Sequence, residues 1–396
     1  MTLATRSLKT RFLDALEGID DGRLTLTTPE GERYRFGTDG PEADLHIRDW
    51  RLLPRLALRG DVGLGEAWIA GDWHSTRLEE VLKLAIRNLG RLSAWGEPGR
   101  LQTAGMRLVD RIVRLNSLRG SSRNIRAHYD VGNEFYQLWL DPGMTYSSAL
   151  FGPGEVDRKE SGDGLEQAQA RKNGRILSRL APGESLLEIG CGWGGFAEAA
   201  SERGHRVTGI TLSPSQKGYA DARLDGRAEI RLQDYRQVSG QYDNIVSIEM
   251  IEAVGERYWP TYFATLKARL APEGRAVVQA ITVPDAEFSI YRNRSDFIRQ
   301  HVFPGGLLPC NASMVSAATR AGLTVRGNFA FGPDYARTCR IWSERMMAEQ
   351  ARIHRLGYDE SFLRCWQFYL DGCAAAFETG RCDVVQMEFG HEAEAA

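Results

Sequence analysis

Apolar and polar positions follow two different rhythms along this chain. From 185 to 281, short apolar runs recur between stretches of helical period. Ser185–Ile189 carries Leu186, Leu187 and Ile189, and the runs at 206–212, 228–232, 242–249 and 274–281 repeat the pattern, with helices such as 258–270 in the gaps. Strands buried on both faces read as short continuous apolar runs. Their alternation with helices predicts an α/β fold, a doubly wound and mostly parallel sheet with right-handed crossovers. The first 90 residues differ. A helix is expected over 12–19, a hairpin over 22–36 around Pro29-Glu30-Gly31, further alternation over 44–47 and 50–57, and a helix over 78–86. Residues 1–90 thus read as a smaller α+β domain with tryptophans in its core, 91–127 as a linker, and 128–396 as the larger domain.

Candidate chemistry begins where the first apolar run ends. Gly190, Gly192, Gly194 and Gly195 follow Ile189 at once, and helical character resumes at 196–201. A strand, a glycine-rich turn and a helix bring the backbone close to a nucleotide cofactor at the carboxyl edge of a sheet. Two cofactors fit. Gly190, Gly192 and Gly195 match a dinucleotide fingerprint by letter. Glu188, two residues before Gly190, makes an E-x-G-x-G string that resembles the first motif of S-adenosylmethionine-dependent methyltransferases, where the acid helps hold the amino-acid part of the cofactor. Asp234, after the third strand, is placed to accept from an adenine amino group. Thr211, Ser213 and Gln216, after the second, are candidates for the ribose, and each also suits a cap or turn.

Two further stretches lack a clear period. Residues 128–151 mix polar groups with many aromatics, as a segment folding over a ligand would. The insert 284–309 sets Phe288, Tyr291 and Phe303 among Arg292, Arg294, Arg299 and His301. Apolar side chains beside cations suit a greasy substrate with an anionic head; a lid or dimer surface is the plainer reading.

Composition narrows the classes. A net charge of −2 over 396 residues gives no global field for nucleic acid. The six cysteines form no C-x-x-C pair, against a zinc ribbon or thioredoxin-like site, and read as reduced cytosolic thiols. No apolar run approaches the ~20 residues of a membrane span, so membrane contact is expected to be peripheral. The linker carries eight arginines against Glu97 and Asp110, a local excess of six positive charges. Its apolar stripe suits an anionic membrane surface or a helix packed between domains.

Taken in order, H-Y-D-V-G-N at 128–133, D-P-G-M-T-Y-S at 141–147, L-E-I-G-C-G-W-G-G at 187–195, G-I-T-L-S at 209–213, Q-D-Y-R at 233–236, E-M-I-E-A-V-G at 249–255, F-P-G-G-L-L-P at 303–309 and D-Y-A-R-T at 334–338 resemble the cyclopropane-fatty-acyl-phospholipid synthase family. The resemblance covers nearly the whole chain. It implies a seven-stranded class I methyltransferase sheet and an N-terminal lipid-binding-like domain. It implies transfer of the methyl carbon of S-adenosylmethionine to the double bond of an unsaturated phospholipid acyl chain, through a carbocation that bound bicarbonate deprotonates to close a cyclopropane ring. The implied cofactor residues are Tyr129, Ser147, Glu188, Gly190, Gly192, Gly194, Thr211, Ser213, Gln216, Gln233 and Asp234. The implied catalytic residues are Glu252, Tyr335, Gln279, Ser148 and Ile281, and Phe288, Tyr291, Arg292, Arg299 and Phe303 would meet the lipid.

Two positions depart from the family. Ser148 stands where a cysteine is usual and Gln279 where a histidine is usual. Both can still hydrogen-bond an oxyanion, but the lost imidazole leaves the product open between a ring and a methyl or methylene branch, with a partner reductase expected only for a methyl-branched product. A non-catalytic lipid-binding protein is the reading from another class. The expected setting is the inner face of the cell membrane, as a homodimer, with neither metal nor nucleic acid.

Overall fold

The computed structural model describes residues 3–96, 131–152 and 164–392. Of the basic stretch 91–127, only residues up to 96 are described. Two compact units emerge: residues 1–109 with 293–302 and 342–381, and residues 110–292 with 303–341 and 382–396. The chain beyond 128 is therefore shared between the units, which differs from a boundary drawn at 127/128. The reason is packing. Phe297 lies against Gly65 and meets Phe368 edge-on with ring centroids 4.6 Å apart. Arg364 stacks over Trp68 at 4.1 Å and donates to the Trp68 and Trp73 carbonyls.

In the first unit, β1 (Arg23–Thr27), β2 (Arg33–Gly37), β3 (Glu42–Ile47) and β4 (Trp73–His74) form a sheet of order β2-β1-β3-β4. Leu24, Leu26, Phe36, Leu45 and Ile47 are buried, with the helix Leu78–Arg87 packed on β1 and β3 and the helix Glu360–Glu378 packed in turn on Leu78–Arg87, and Trp50, Trp68 and Trp73 are core residues. The extended reading of 50–57 is corrected: Leu52–Arg59 is a helix. Pro54 falls in its first turn, where no N–H is missed, and buried Leu52 and Leu53 mark its inner face.

The second unit is the doubly wound sheet, seven strands in the order β10-β11-β9-β8-β5-β6-β7. The strands are β5 (Ser185–Ile189), β6 (Arg206–Thr211), β7 (Glu229–Leu232), β8 (Tyr242–Ile248), β9 (Leu270–Thr282), β10 (Leu323–Ala330) and β11 (Asp383–His391). Strands β5 to β9 pair in parallel, and β11 runs antiparallel between β9 and β10. Neighbouring residues feed opposite faces: Leu187, Ile245 and Val278 enter one core, while Leu186, Val246 and Val277 enter the other. Strand order reverses at β5, so the crevice opens beyond its carboxyl end. Among the described residues no helix is long and apolar enough to cross a membrane.

Candidate active site

Beyond β5 the backbone turns through Gly190, Gly192 and Gly194, all at positive φ, into the helix Gly195–Ser201. Two of the glycines in this turn have distinct reasons. A side chain at Gly192 would meet nothing within 4 Å, so this glycine faces open space, whereas a Cβ at Gly195 would lie 2.5 Å from the Gly143 carbonyl oxygen. The turn is thus closely backed by the loop at Gly143, within the aromatic segment 128–151. The same segment is pinned at its other end. Trp193 Nε1 donates to Asn133 Oδ1 at 2.8 Å, and Tyr136 packs 5.1 Å from the Trp193 ring. Phe135, Tyr136 and Trp139 are fully buried.

Glu188 is buried near the end of β5. Burial pushes its carboxyl up to about 8, against the opposing pull of Lys172, and its Oε2 has no hydrogen-bond partner among the described residues. A buried carboxyl oxygen without a partner among the described residues, two residues before the glycine turn, fits a ligand carrying an amino group. Lys172, on the helix Leu165–Ser178, is itself buried and held down to about 8; its Nζ donates to Ser147 Oγ at 3.1 Å.

The nucleoside candidates line the crevice edge. Thr211 Oγ1 donates to Gln216 Oε1 at 2.8 Å, and Ser213 caps the helix Pro214–Leu224 by accepting from the Gln216 N–H. These three residues support one another, so the capping alternative is realised for Ser213. Asp234 is already engaged: both its oxygens accept from the Arg236 guanidinium, and Oδ1 also accepts the Arg236 N–H. Gln233 donates its side chain to the Gln237 carbonyl. Tyr129 lies outside the described residues.

The catalytic candidates converge on a residue the sequence reading passed over. Glu249 follows β8 with φ +50. Its Oε1 accepts from the Ser148 N–H at 2.9 Å and from Gln279 Nε2 at 2.7 Å, and its Oε2 accepts from the Tyr335 hydroxyl at 2.6 Å. Three groups expected on bicarbonate are therefore occupied by the chain's own carboxylate. Ser148 contributes its backbone, because its hydroxyl donates to the Ala149 carbonyl. Glu252 Oε1 accepts the Ile281 N–H at 2.6 Å, while Oε2 is buried without a partner among the described residues.

Electrostatics separate the two acids. Burial raises both carboxyls, and Glu249 adds to the rise that takes Glu252 to about 8. Among the described residues Glu249 has three donors from other residues to stabilise its anion and Glu252 has one, which favours the charge on Glu249 over Glu252. Burial and Glu249 hold the Tyr335 phenol well above its usual value, which keeps it a donor. Donors among the described residues fill three of about four carboxylate lone-pair positions, and one position on Glu249 Oε2 has no donor among them.

The lipid candidates divide. Phe288 packs against Trp259 at 6.0 Å, the Tyr291 oxygen accepts from the Leu308 N–H, Arg292 pairs with Glu256 at 2.7 Å, and Phe303 stacks on Tyr146 at 6.4 Å. Arg299 belongs to the first unit, where its guanidinium donates to the Arg294 carbonyl. Glu249 was legible as the first acid of E-M-I-E-A-V-G; nothing in the sequence singled out Lys172 or Gln386.

The family model described as mycolic acid cyclopropane synthetase matches residues 116–387. Tuberculostearic acid methyltransferase UfaA1 of Mycobacterium tuberculosis is 37% identical over 358 residues, covering 87% of this chain and 82% of that protein. Cyclopropane-fatty-acyl-phospholipid synthase of Escherichia coli K12 is 32% identical over 357 residues, covering 89% of each. The crystal structure of mycolic acid cyclopropane synthase CmaA1 complexed with SAH and CTAB aligns with a TM-score of 0.61 at 30% identity, covering 68% of this chain and 97% of that one.

Proposed function

This chain belongs to the mycolic acid cyclopropane synthetase family of S-adenosylmethionine-dependent lipid methyltransferases, and from that premise we propose that it methylates the double bond of an unsaturated phospholipid acyl chain at a membrane surface, with Glu249 as the base. The observation that carries this reading is the Glu249 carboxylate held by Ser148, Gln279 and Tyr335.

S-adenosylmethionine supplies an electrophilic methyl group on a positively charged sulfur. Glu188 would take its amino group, Gly190, Gly192 and Gly194 would leave room for it, and Ser147, Thr211, Ser213, Gln216, Gln233 and Asp234 would line its remaining length. An alkene is a weak nucleophile, so holding it in a dry, fixed pose contributes to the rate. Once methylated it is a carbocation, for which aromatic faces such as Tyr146 and Phe303 are favourable neighbours. The cation must lose a proton, and the open lone pair of Glu249 Oε2 receives it. Glu252 stays protonated and neutral beside it, which leaves one anion in the pocket. With this internal base, bicarbonate is not required.

Which proton reaches Glu249 decides the product. Gln279 and the 37% identity to a tuberculostearic acid methyltransferase favour a methylene- or methyl-branched chain. The 32% identity to a cyclopropane-fatty-acyl-phospholipid synthase supports ring closure as the second reading. The test is mass spectrometry of mono-unsaturated phospholipid vesicles incubated with protein and S-adenosylmethionine, with proton NMR separating ring from methylene. A gain of one CH2 is expected, undiminished by bicarbonate depletion. Glu249→Gln is expected to abolish it while cofactor binding persists. Turnover by that variant would remove Glu249 from the base role, and a requirement for bicarbonate would restore the external ion.

A further inference from the structure

Gln279 does not act alone on Glu249. Its Oε1 accepts from Gln386 Nε2 at 2.9 Å, and Gln386 Oε1 accepts from Arg175 Nη1 at 2.6 Å. The two glutamines are direct partners in the antiparallel β9/β11 register, and both are fully buried. Arg175 approaches from the helix Leu165–Ser178, its guanidinium 4.0 Å over the Phe329 ring.

We infer that Arg175 and Gln386 are positioning residues for the base: through two amides they orient Gln279 so that Glu249 is held as a hydrogen-bond acceptor. This inference rests on the reading of Glu249 as the base. A side-chain amide has a donor end and an acceptor end, and nothing in a glutamine chooses between its two orientations. Here the ends of the series choose. A guanidinium only donates and a carboxylate only accepts. With Arg175 at one end, Gln386 must present its oxygen to it and its nitrogen to Gln279. Gln279 must then present its oxygen to Gln386 and its nitrogen to Glu249. Turning either amide would set oxygen against oxygen on one side and N–H against N–H on the other. Bonds in such a series also polarise one another.

The charged groups around the series are few. Arg179 and Glu388 face Arg175, and Lys172, Tyr335 and Glu252 face Glu249. A guanidinium keeps its proton across the working range, so the direction of the series does not change with pH. Losing the series removes one donor from the Glu249 anion, which makes the carboxyl a weaker acid.

Gln386→Glu isolates the effect, because the new side chain still accepts from Arg175 but cannot donate to Gln279. Its kcat is expected to fall roughly tenfold to a hundredfold, as for loss of a charge-assisted bond. The affinity for S-adenosylmethionine should stay within about twofold, since no cofactor contact is touched. The acidic limb of kcat against pH should move upward. Arg175→Met should shift the limb in the same direction, and Arg175→Lys should recover part of it. Because Gln386→Glu buries a carboxylate, the two Arg175 variants carry the test should it fail to fold. An unchanged pH limb, whether or not melting temperature drops, overturns the inference and leaves Arg175 and Gln386 a packing role. If Glu249→Gln is inactive while the limb is unmoved, only the series fails; if Glu249→Gln turns over normally, the base reading fails first.

Discussion

Replacing Glu188 with glutamine is expected to stabilise the ligand-free protein while weakening its hold on the methyl donor. The buried carboxyl is raised from its ordinary 4.5 to about 8. A raised carboxyl means that the folded state binds the proton more tightly than the unfolded chain. The associated stability is complete below pH 4.5 and is lost as pH climbs toward about 8. At pH 7, the gap above 4.5 at about 1.36 kcal/mol per pH unit is a loss of about 3 kcal/mol. Glutamine does not ionise and escapes that loss. Its amide inherits the partnerless position, at a cost of about 1 kcal/mol. The net gain is about 2 kcal/mol at pH 7 and close to zero at pH 5. Thermal unfolding of both proteins at pH 5 and pH 8 reads the difference between them: Glu252, also raised to about 8, costs both proteins stability as pH climbs, so the wild type should fall further between pH 5 and pH 8 than the variant. Calorimetric titration with S-adenosylmethionine reads the other half. Loss of one charge-assisted bond, about 1.5–3 kcal/mol, weakens binding roughly ten- to hundredfold. A variant that melts below the wild type at pH 8, or that binds the cofactor unchanged, refutes the reasoning.

Two glycines give further tests. Gly195→Ala drives a methyl to 2.5 Å from the Gly143 carbonyl oxygen; since backbone meets backbone, a loss of about 1–3 kcal/mol in unfolding free energy is expected, and an unchanged denaturant midpoint would show the loop to be freely displaceable. In the first unit, Gly65→Ala puts a methyl into the Phe297 ring and 2.9 Å from Phe368. It should destabilise by a similar ~1–3 kcal/mol and raise protease cutting within 293–302; resistance equal to the wild type would contradict that packing.

What could be read from sequence depended on how local the cause was. The five predicted strands of the sheet were legible because burial on both faces leaves continuous apolar runs, as in Leu186-Leu187 and Ile245-Val246. The glycine turn was legible because its backbone needs positive φ. The candidate cluster was only half visible. Ser148, Gln279, Tyr335, Glu252 and Ile281 could be named from strings, and the structure does bring them together around two acids. Glu249, the acceptor for Ser148, Gln279 and Tyr335, sat in one of those strings without any mark of those bonds, because only the fold sets these donors on its oxygens. Gln386 is a polar residue in an apolar strand, and its meaning depends on a cross-strand register that no local pattern encodes. The helix at Leu52–Arg59 was missed because four leucines close together satisfy a strand period as readily as a helical one.

The sharing of the chain between the two units has a consequence for synthesis. The first unit is begun by the earliest residues made, yet Phe297 and the helix Glu360–Glu378 that complete its core are among the later ones. At ~5–20 residues per second on the ribosome, the segment up to 109 must wait roughly 15–50 s for residue 381. During that interval the apolar faces around Trp68 and Gly65 emerge without their covering. The part of this protein that is translated first is thus bound to finish folding late, and its nascent chain is a natural client for a chaperone that shields exposed aromatic surface.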